Sequence, residues 1–269
     1  MDWLDLKGRT VIVTGGASGI GKAVAQGFAE VGANVVIADI NSNAPEFVKE
    51  NDSYKYIVTN VTDRTSVENM VDETIKTFGK VDVIVNNAGI NIPRLLIDSK
   101  DPKGKYELDD EVFDKIWNIN VKGLYLCAQI AGRNMVENGS GVIINMSSES
   151  GLEGSEGQSI YAATKNAVNS FTRSWAKELG KKGVRVVGVA PGIMEATGLR
   201  TLEYETALAY TRGITVEKLR EGYKSTSTTP LGRDGKLVEV ANLVCFLASD
   251  RAGYIHGVTY NVAGGKTRG

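Results

Sequence analysis

TVIVTGGASGIGKAVAQGFAEVG, residues 10–32, is the stretch whose reading decides the fold. Its first five residues are all β-branched and show no polar alternation, the pattern of a strand covered on both faces. Gly15, Gly16, Gly19 and Gly21 follow at once. From about residue 20 to 31, Ala23, Val24, Gly27, Phe28 and Val31 recur at helical spacing, and Gly32 stops the helix. Strand, glycine turn and helix make the first unit of an open parallel sheet. Glycines let the backbone turn sharply and approach a pyrophosphate closely, while the helix start offers free N–H groups and a positive dipole end. Gly15, Ser18, Gly19, Ile20 and Gly21 are therefore candidate contacts for a dinucleotide.

The same rhythm extends outward. Residues 34–39 (NVVIAD), 54–58, 81–85 (VDVIV), 141–145 and 184–189 read as further buried strands, and 62–78 as a helix ended by Gly79. Long helices are expected around 113–136 and 161–179. The fold class is α/β, a single doubly wound (Rossmann) parallel sheet with helices on both faces, and residues 1–269 form one domain. Two stretches break the pattern. A polar loop at about 91–111 and a segment at about 194–230 follow strand ends, where such sheets place ligands, and read as a substrate loop and a substrate lid. Asp39 ends the second strand 24 residues after Gly15. Its carboxylate suits both ribose hydroxyls of an adenosine and repels a 2′-phosphate, and the neighbouring Ser18 and Ile40 carry no cation, so NAD is expected over NADP.

Composition narrows the function. A net charge of −1 gives no electrostatic reason for nucleic acid or an acidic membrane as partner. No run reaches the roughly 20 apolar residues of a membrane span, and residues 1–7 lack a signal-peptide pattern, so the cytoplasm is the expected location. Cys127 and Cys245 sit in apolar stretches without metal-ligand spacing and read as buried thiols. His256 is the only histidine, so no metal site is expected and the imidazole reads as structural.

Tyr161 and Lys165 are four apart on a helix and share a face. Removing hydride from an alcohol needs a base for the hydroxyl proton, and a free tyrosine, with a pKa near 10, is too weakly acidic to serve well at neutral pH. An ammonium beside it favours the phenolate. Ser148 stands 13 residues before Tyr161 at a strand end. Together with TGGASGIG at 14–21, NNAG at 86–89, Asn120 in NIN and Pro191-Gly192 after a strand, these residues resemble the short-chain dehydrogenase/reductase family over nearly the whole chain. The resemblance implies an oxidoreductase. Tyr161 is then the acid–base, Lys165 lowers the phenol's pKa and holds the nicotinamide ribose, Ser148 binds the substrate oxygen, and Asn120 supports Lys165 through water. It further implies that Asn87, Ala88 and Gly89 pack behind the adenosine, that Asn60 and Val61 line the adenine, and that Pro191, Gly192 and Ile193 meet the nicotinamide. Two positions depart from the family pattern. Asn60 stands where relatives carry Asp, and Ala196 where a Thr is common, with Thr197 one residue later.

Residues 93–96, 101–108, 147–158, 198–219 and 263–269 resemble the polyol-phosphate branch of that family in Gram-positive bacteria. This implies a sugar phosphate substrate, the pair sorbitol 6-phosphate and fructose 6-phosphate, with NAD. A phosphate needs cations and a polyol needs short polar groups. The loop supplies Arg94, Lys103 and Lys105, the lid Arg200, Arg212 and Lys218, and the tail Lys266 and Arg268. Arg94 is the leading phosphate candidate and Glu149 the leading hydroxyl acceptor, with Glu153 and Glu156 nearby. Family resemblance also implies a homotetramer paired through the two long helices. Two alternatives remain: a short-chain dehydrogenase for a free polyol, acyl thioester or steroid, and a non-catalytic NADH sensor. The polar lid speaks against an apolar substrate, and a sensor has no need of Ser148, Tyr161 and Lys165 at reacting spacing.

Overall fold

The computed structural model describes residues 3–49 and 53–266; Arg268 lies outside the described residues. In chain order the elements are β1 (Thr10–Thr14), α1 (Gly19–Glu30), β2 (Asn34–Asp39), α2 (Glu46–Lys49), β3 (Tyr54–Val58), α3 (Arg64–Phe78), β4 (Val83–Asn86) and α4 (Asp110–Trp117). A π-helical turn (Asn118–Gly123) leads into α5 (Leu124–Glu137), then β5 (Gly141–Met146), α6 (Ser150–Glu153), α7 (Ser159–Leu179) and β6 (Val184–Pro191). The chain ends with α8 (Leu202–Thr211), α9 (Val216–Gly222), α10 (Leu237–Ala248) and β7 (Thr259–Val262). The strands form one parallel sheet in the order β3-β2-β1-β4-β5-β6-β7. Strand order reverses between β1 and β4, which opens a crevice at their C-terminal ends.

Side chains alternate across a strand, so a strand buried on both faces feeds two cores. Val11 and Val13 of β1 pack with Val24 and Phe28 of α1 and Val240 and Val244 of α10. Ile12 between them packs with Met70 of α3 and Leu126 of α5 on the opposite face. This places helices on both faces, as the β-branched runs require. Cys127 and Cys245 are buried thiols, each pushed up to about 12 by burial. His256 accepts from the Val186 amide at 3.1 Å and bonds the Ala176 carbonyl at 2.7 Å, a structural tie between β6 and α7. Among the described residues no helix is long and apolar enough to cross a membrane.

The structure departs from the sequence reading in three places. β4 starts at Val83 rather than at 81, and side chains take part in the bonding just before it. Asn134 Oδ1 accepts the Val81 amide at 3.0 Å, and Asp82 Oδ2 accepts the Thr10 amide at 2.9 Å. The single helix expected over 113–136 is two helices joined by the π-helical turn, which inserts a wider coil and carries Asn120 inward. α10 and β7 escape periodicity altogether. The sequence LVEVANLVCFLA is apolar nearly all round, and TYNV is a half-exposed edge strand.

Candidate active site

The crevice between β1 and β4 holds a cleft of about 510 Å³. Gly15 sits at φ +63, and a Cβ there would lie 3.0 Å from the Ala88 backbone; at Gly21 a Cβ would lie 2.2 Å from the Gly15 carbonyl oxygen. Only glycine lets β1, α1 and the β4 loop approach so closely. Asn87 locks the turn by donating from Nδ2 to the Thr14 and Gly15 carbonyls at 3.0 and 3.1 Å. Ser18 caps α1 with extended backbone and makes no side-chain cap bond. At one end of the cleft lie Asp39 and Ile40. Asp39 accepts from the Ala17 and Asn41 amides at 3.1 and 3.2 Å. At the other end lie Tyr161 and Lys165. An acid, a helix start amid glycines, and a Tyr–Lys pair along one cleft match the adenosine, pyrophosphate and nicotinamide portions of a dinucleotide.

Gly15, Ser18, Gly19, Ile20, Asp39, Ile40, Asn60, Val61, Asn87, Ala88, Gly89, Tyr161, Lys165 and Pro191 all line this cleft, whereas Gly21, Gly192 and Ile193 do not. Gly21 packs into the turn, Gly192 packs against Ala263, and the Ile193 carbonyl accepts the Gly235 amide at 2.9 Å. Asn60 spends its Oδ1 on the Thr62 amide and hydroxyl at 3.0 and 2.8 Å, so it serves first as a turn brace. Thr197 lines the cleft opposite Gly19, taking the side of the wall where Ala196 broke the family pattern. Thr59, Ile90, Asn91, Ile119, Met146 and Leu199 also line it; none of them was singled out from the sequence.

Tyr161 and Lys165 stand one turn apart near the start of α7. Burial raises the Tyr161 phenol, a hydrogen bond with Ser148 lowers it, and the Glu149 carboxylate raises it. Lys165 Nζ donates to the Met146 carbonyl at 2.8 Å and lies 5.7 Å from the Tyr161 ring centroid. Burial pushes its ammonium down to about 8. The direct hydrogen bond that pulls the phenol down comes from Ser148. Asn120 is 1 % exposed and saturated, accepting the Ile90 amide at 2.8 Å and donating to the Ile90 carbonyl and Thr164 at 2.9 and 3.1 Å. It pins the loop after β4 to α7. A Cβ on Gly89 would fall 3.2 Å from Asn120 Oδ1 and 3.5 Å from Lys165 Nζ, so this backbone passes between them.

The substrate candidates separate. Glu149 is buried beside Ser148 and ion-paired with Lys266. Arg94 is half-buried in a second cleft. Arg200 is occupied within the lid, donating to the Met194 carbonyl and lying 4.4 Å above the Tyr223 ring. Glu153 is exposed and lines neither cleft. Lid and substrate loop are joined: Tyr210 donates to Asp98 at 2.8 Å and stacks on Tyr106 at 4.2 Å. Sequence reading missed Tyr204 and Gln158, whose hydroxyl and amide meet at 2.7 Å beside the Tyr161 helix start. A tyrosine on a lid helix without a distinct apolar face gives no signal of its own.

The short chain dehydrogenase family model matches residues 9–207. Sorbitol-6-phosphate 2-dehydrogenase of Klebsiella pneumoniae is 57% identical over 267 residues, 99% of this chain and 99% of that protein. Klebsiella is Gram-negative, so the likeness is not confined to Gram-positive bacteria. A 3-oxoacyl-(acyl-carrier-protein) reductase of Thermotoga maritima is 38% identical over 265 residues, 97% of this chain and 98% of that protein. The crystal structure of a 3-ketoacyl-(acyl-carrier-protein) reductase from Brucella melitensis complexed with NADH matches with a TM-score of 0.82. It is 31% identical and covers 98% of this chain and 100% of that one.

Proposed function

The chain belongs to the short-chain dehydrogenase family, and from that premise we propose that it interconverts sorbitol 6-phosphate and fructose 6-phosphate with NAD. The observation that carries the substrate is the 57% identity to a sorbitol-6-phosphate 2-dehydrogenase across 99% of both chains. The cleft residues from Asp39 to Lys165 would hold NAD, which would supply the hydride acceptor for oxidation and, in reduced form, the donor for reduction. The preference for NAD over NADP rests on Asp39 at the end of β2, with no cation at Ser18 or Ile40.

The chain's own residues handle the proton. In oxidation the Tyr161 phenolate oxygen takes the substrate O–H proton as the C–H bonding pair leaves with the hydride, and the carbon–oxygen bond becomes double. In reduction the phenol returns that proton. Ser148 hydrogen-bonds the same substrate oxygen and orients it toward Tyr161. The Lys165 ammonium, seated on the Met146 carbonyl, holds the nicotinamide ribose and favours the charged phenolate. Asn120 acts through the Ile90 backbone, fixing the loop that faces Lys165. Glu149 receives a polyol hydroxyl.

The reading extends to a one-domain cytoplasmic homotetramer. Tyr125 of α5 is 36 % exposed, and Phe171 and Trp175 of α7 stack at 4.7 Å, which suits helix pairing between subunits. Sedimentation as a monomer at micromolar concentration would refute the assembly. The substrate is tested by following NADH formation across a panel of polyol phosphates, free polyols and hydroxyacyl thioesters. The greatest kcat/KM is expected with sorbitol 6-phosphate, and a greater value with a thioester would overturn it.

A further inference from the structure

A second cleft, of about 380 Å³, opens beside the first, and the two share Asn91 and Leu199 as common walls. They are therefore adjacent, which puts the second cleft within reach of a chain molecule reacting at Tyr161. At the junction stands the Tyr204 hydroxyl. It accepts from Gln158 Nε2 at 2.7 Å and from Asn91 Nδ2 at 3.4 Å. A phenol oxygen has two acceptor positions and one proton. Both acceptor positions are used by amides, so the proton is left to donate to an oxygen in the cleft.

The far wall is cationic. Arg94, Lys105 and Lys115 line it, against Glu111 and Glu203. Lys105 is spent on Glu203 at 3.6 Å. Arg94 and Lys115 have no carboxylate within ion-pair distance among the described residues. Arg94 gives Nη1 to its neighbour's Pro93 carbonyl at 2.8 Å, and its Nε is buried with no hydrogen-bond partner. A half-buried guanidinium charge with no carboxylate beside it calls for an explanation, and an anion in the cleft that Arg94 lines supplies one. The backbone holds Arg94 in place, since its amide donates to the Gly157 carbonyl at 2.8 Å. The start of α8, with Thr201 accepting the Tyr204 amide at 3.2 Å, opens onto the same cleft and adds a positive dipole end.

We propose that this second cleft is the phosphate subsite: Arg94 and Lys115 grip the phosphate of the substrate, and Tyr204 donates to a chain oxygen between it and the reacting carbon. The assignment rests on the polyol-phosphate reading given above. It distinguishes Arg94 from the other sequence candidates, since Arg200 is consumed within the lid, and it adds Lys115, which no motif indicated.

The test compares kcat/KM for sorbitol 6-phosphate and for sorbitol in the wild type, Arg94→Met, Arg94→Lys and Lys115→Met. Inorganic phosphate serves as a competitive probe. Each Met variant is expected to lose about ten- to hundredfold of the preference for the phosphate ester, the worth of one charge-assisted hydrogen bond. The inhibition constant for inorganic phosphate should rise alongside, and Arg94→Lys should recover part of both. Lys115 is exposed, so its variant reports on the subsite even if the loop around Arg94 fails to form. A wild type that prefers the phosphate ester, with variants that keep that preference and the same phosphate inhibition, overturns the subsite and leaves the substrate reading standing. A wild type with no preference for the phosphate ester overturns both.

Discussion

Lys165→Met separates what a buried ammonium costs the fold from what it gives the reaction. Lys165 is 5 % exposed, and burial holds it at about 8 against an ordinary 10.5. At about 1.36 kcal/mol for each pH unit, keeping it protonated inside the protein costs about 3 kcal/mol near neutrality. The sign follows from which state holds the proton. Below about 8 both the folded and unfolded chains are protonated, and the full cost stands. Between about 8 and 10.5 only the unfolded chain keeps the proton, so the wild type gains stability as pH rises. About 2 kcal/mol of the cost should be gone by about pH 9.5. Methionine has no proton to lose and escapes this dependence. Urea unfolding of both proteins between about pH 7 and pH 9.5 reads the difference, in which the other titrating groups cancel. The variant's stability relative to the wild type should fall by about 2 kcal/mol across that range. Turnover should be depressed throughout, because the ammonium beside Tyr161 is gone. A stability gap that does not change with pH would refute the buried, charged lysine.

Other perturbations reach the remaining parts of the site. Asp39→Ser with Ile40→Arg should shift the NADP to NAD ratio of kcat/KM by about ten- to hundredfold, since a carboxylate is replaced by a phosphate partner; an unchanged ratio in paired coenzyme assays would contradict the Asp39 role. Glu149→Gln should move the acid limb of the oxidation profile to lower pH, because the Glu149 carboxylate raises the phenol. Lys266→Met, which leaves that carboxylate without its ion-pair partner, should move the limb the other way. Gly21→Ala should destabilise by about 1–3 kcal/mol through overpacking against Gly15, seen as a lower Tm, and should weaken NADH binding.

How legible the molecule was follows from which forces leave a local mark. The β-branched runs of β1 and β2 fell where expected because burial on both faces keeps their middles apolar, whereas β3 is an edge strand with Tyr54, Lys55 and Tyr56 only half-buried. The glycine turn was legible because its close approaches admit no side chain. Tyr161 and Lys165 could be paired because four residues on a helix fix a shared face. The π-helical turn around Asn120 was hidden, since it depends on a bond to Ile90, thirty residues away in the chain. α10 lacks a polar face, so no period marks it. Lys115 comes to line the same cleft as Arg94 through the placement of α4, which packs on the π-helical turn and α7, and neither residue's surroundings in sequence encode the other. Arg200 stood among the phosphate candidates behind Arg94, because charge alone does not say that Met194 and Tyr223 already hold it.

The Tyr161 hydroxyl is the group assigned to exchange a proton with substrate. Tyr161→Phe keeps the ring and removes only that oxygen. Its NADH affinity, read by fluorescence titration, should match the wild type, while kcat for sorbitol 6-phosphate oxidation should fall by about 10²–10⁴-fold. A variant that binds NADH normally and turns over within about tenfold of the wild type would contradict it.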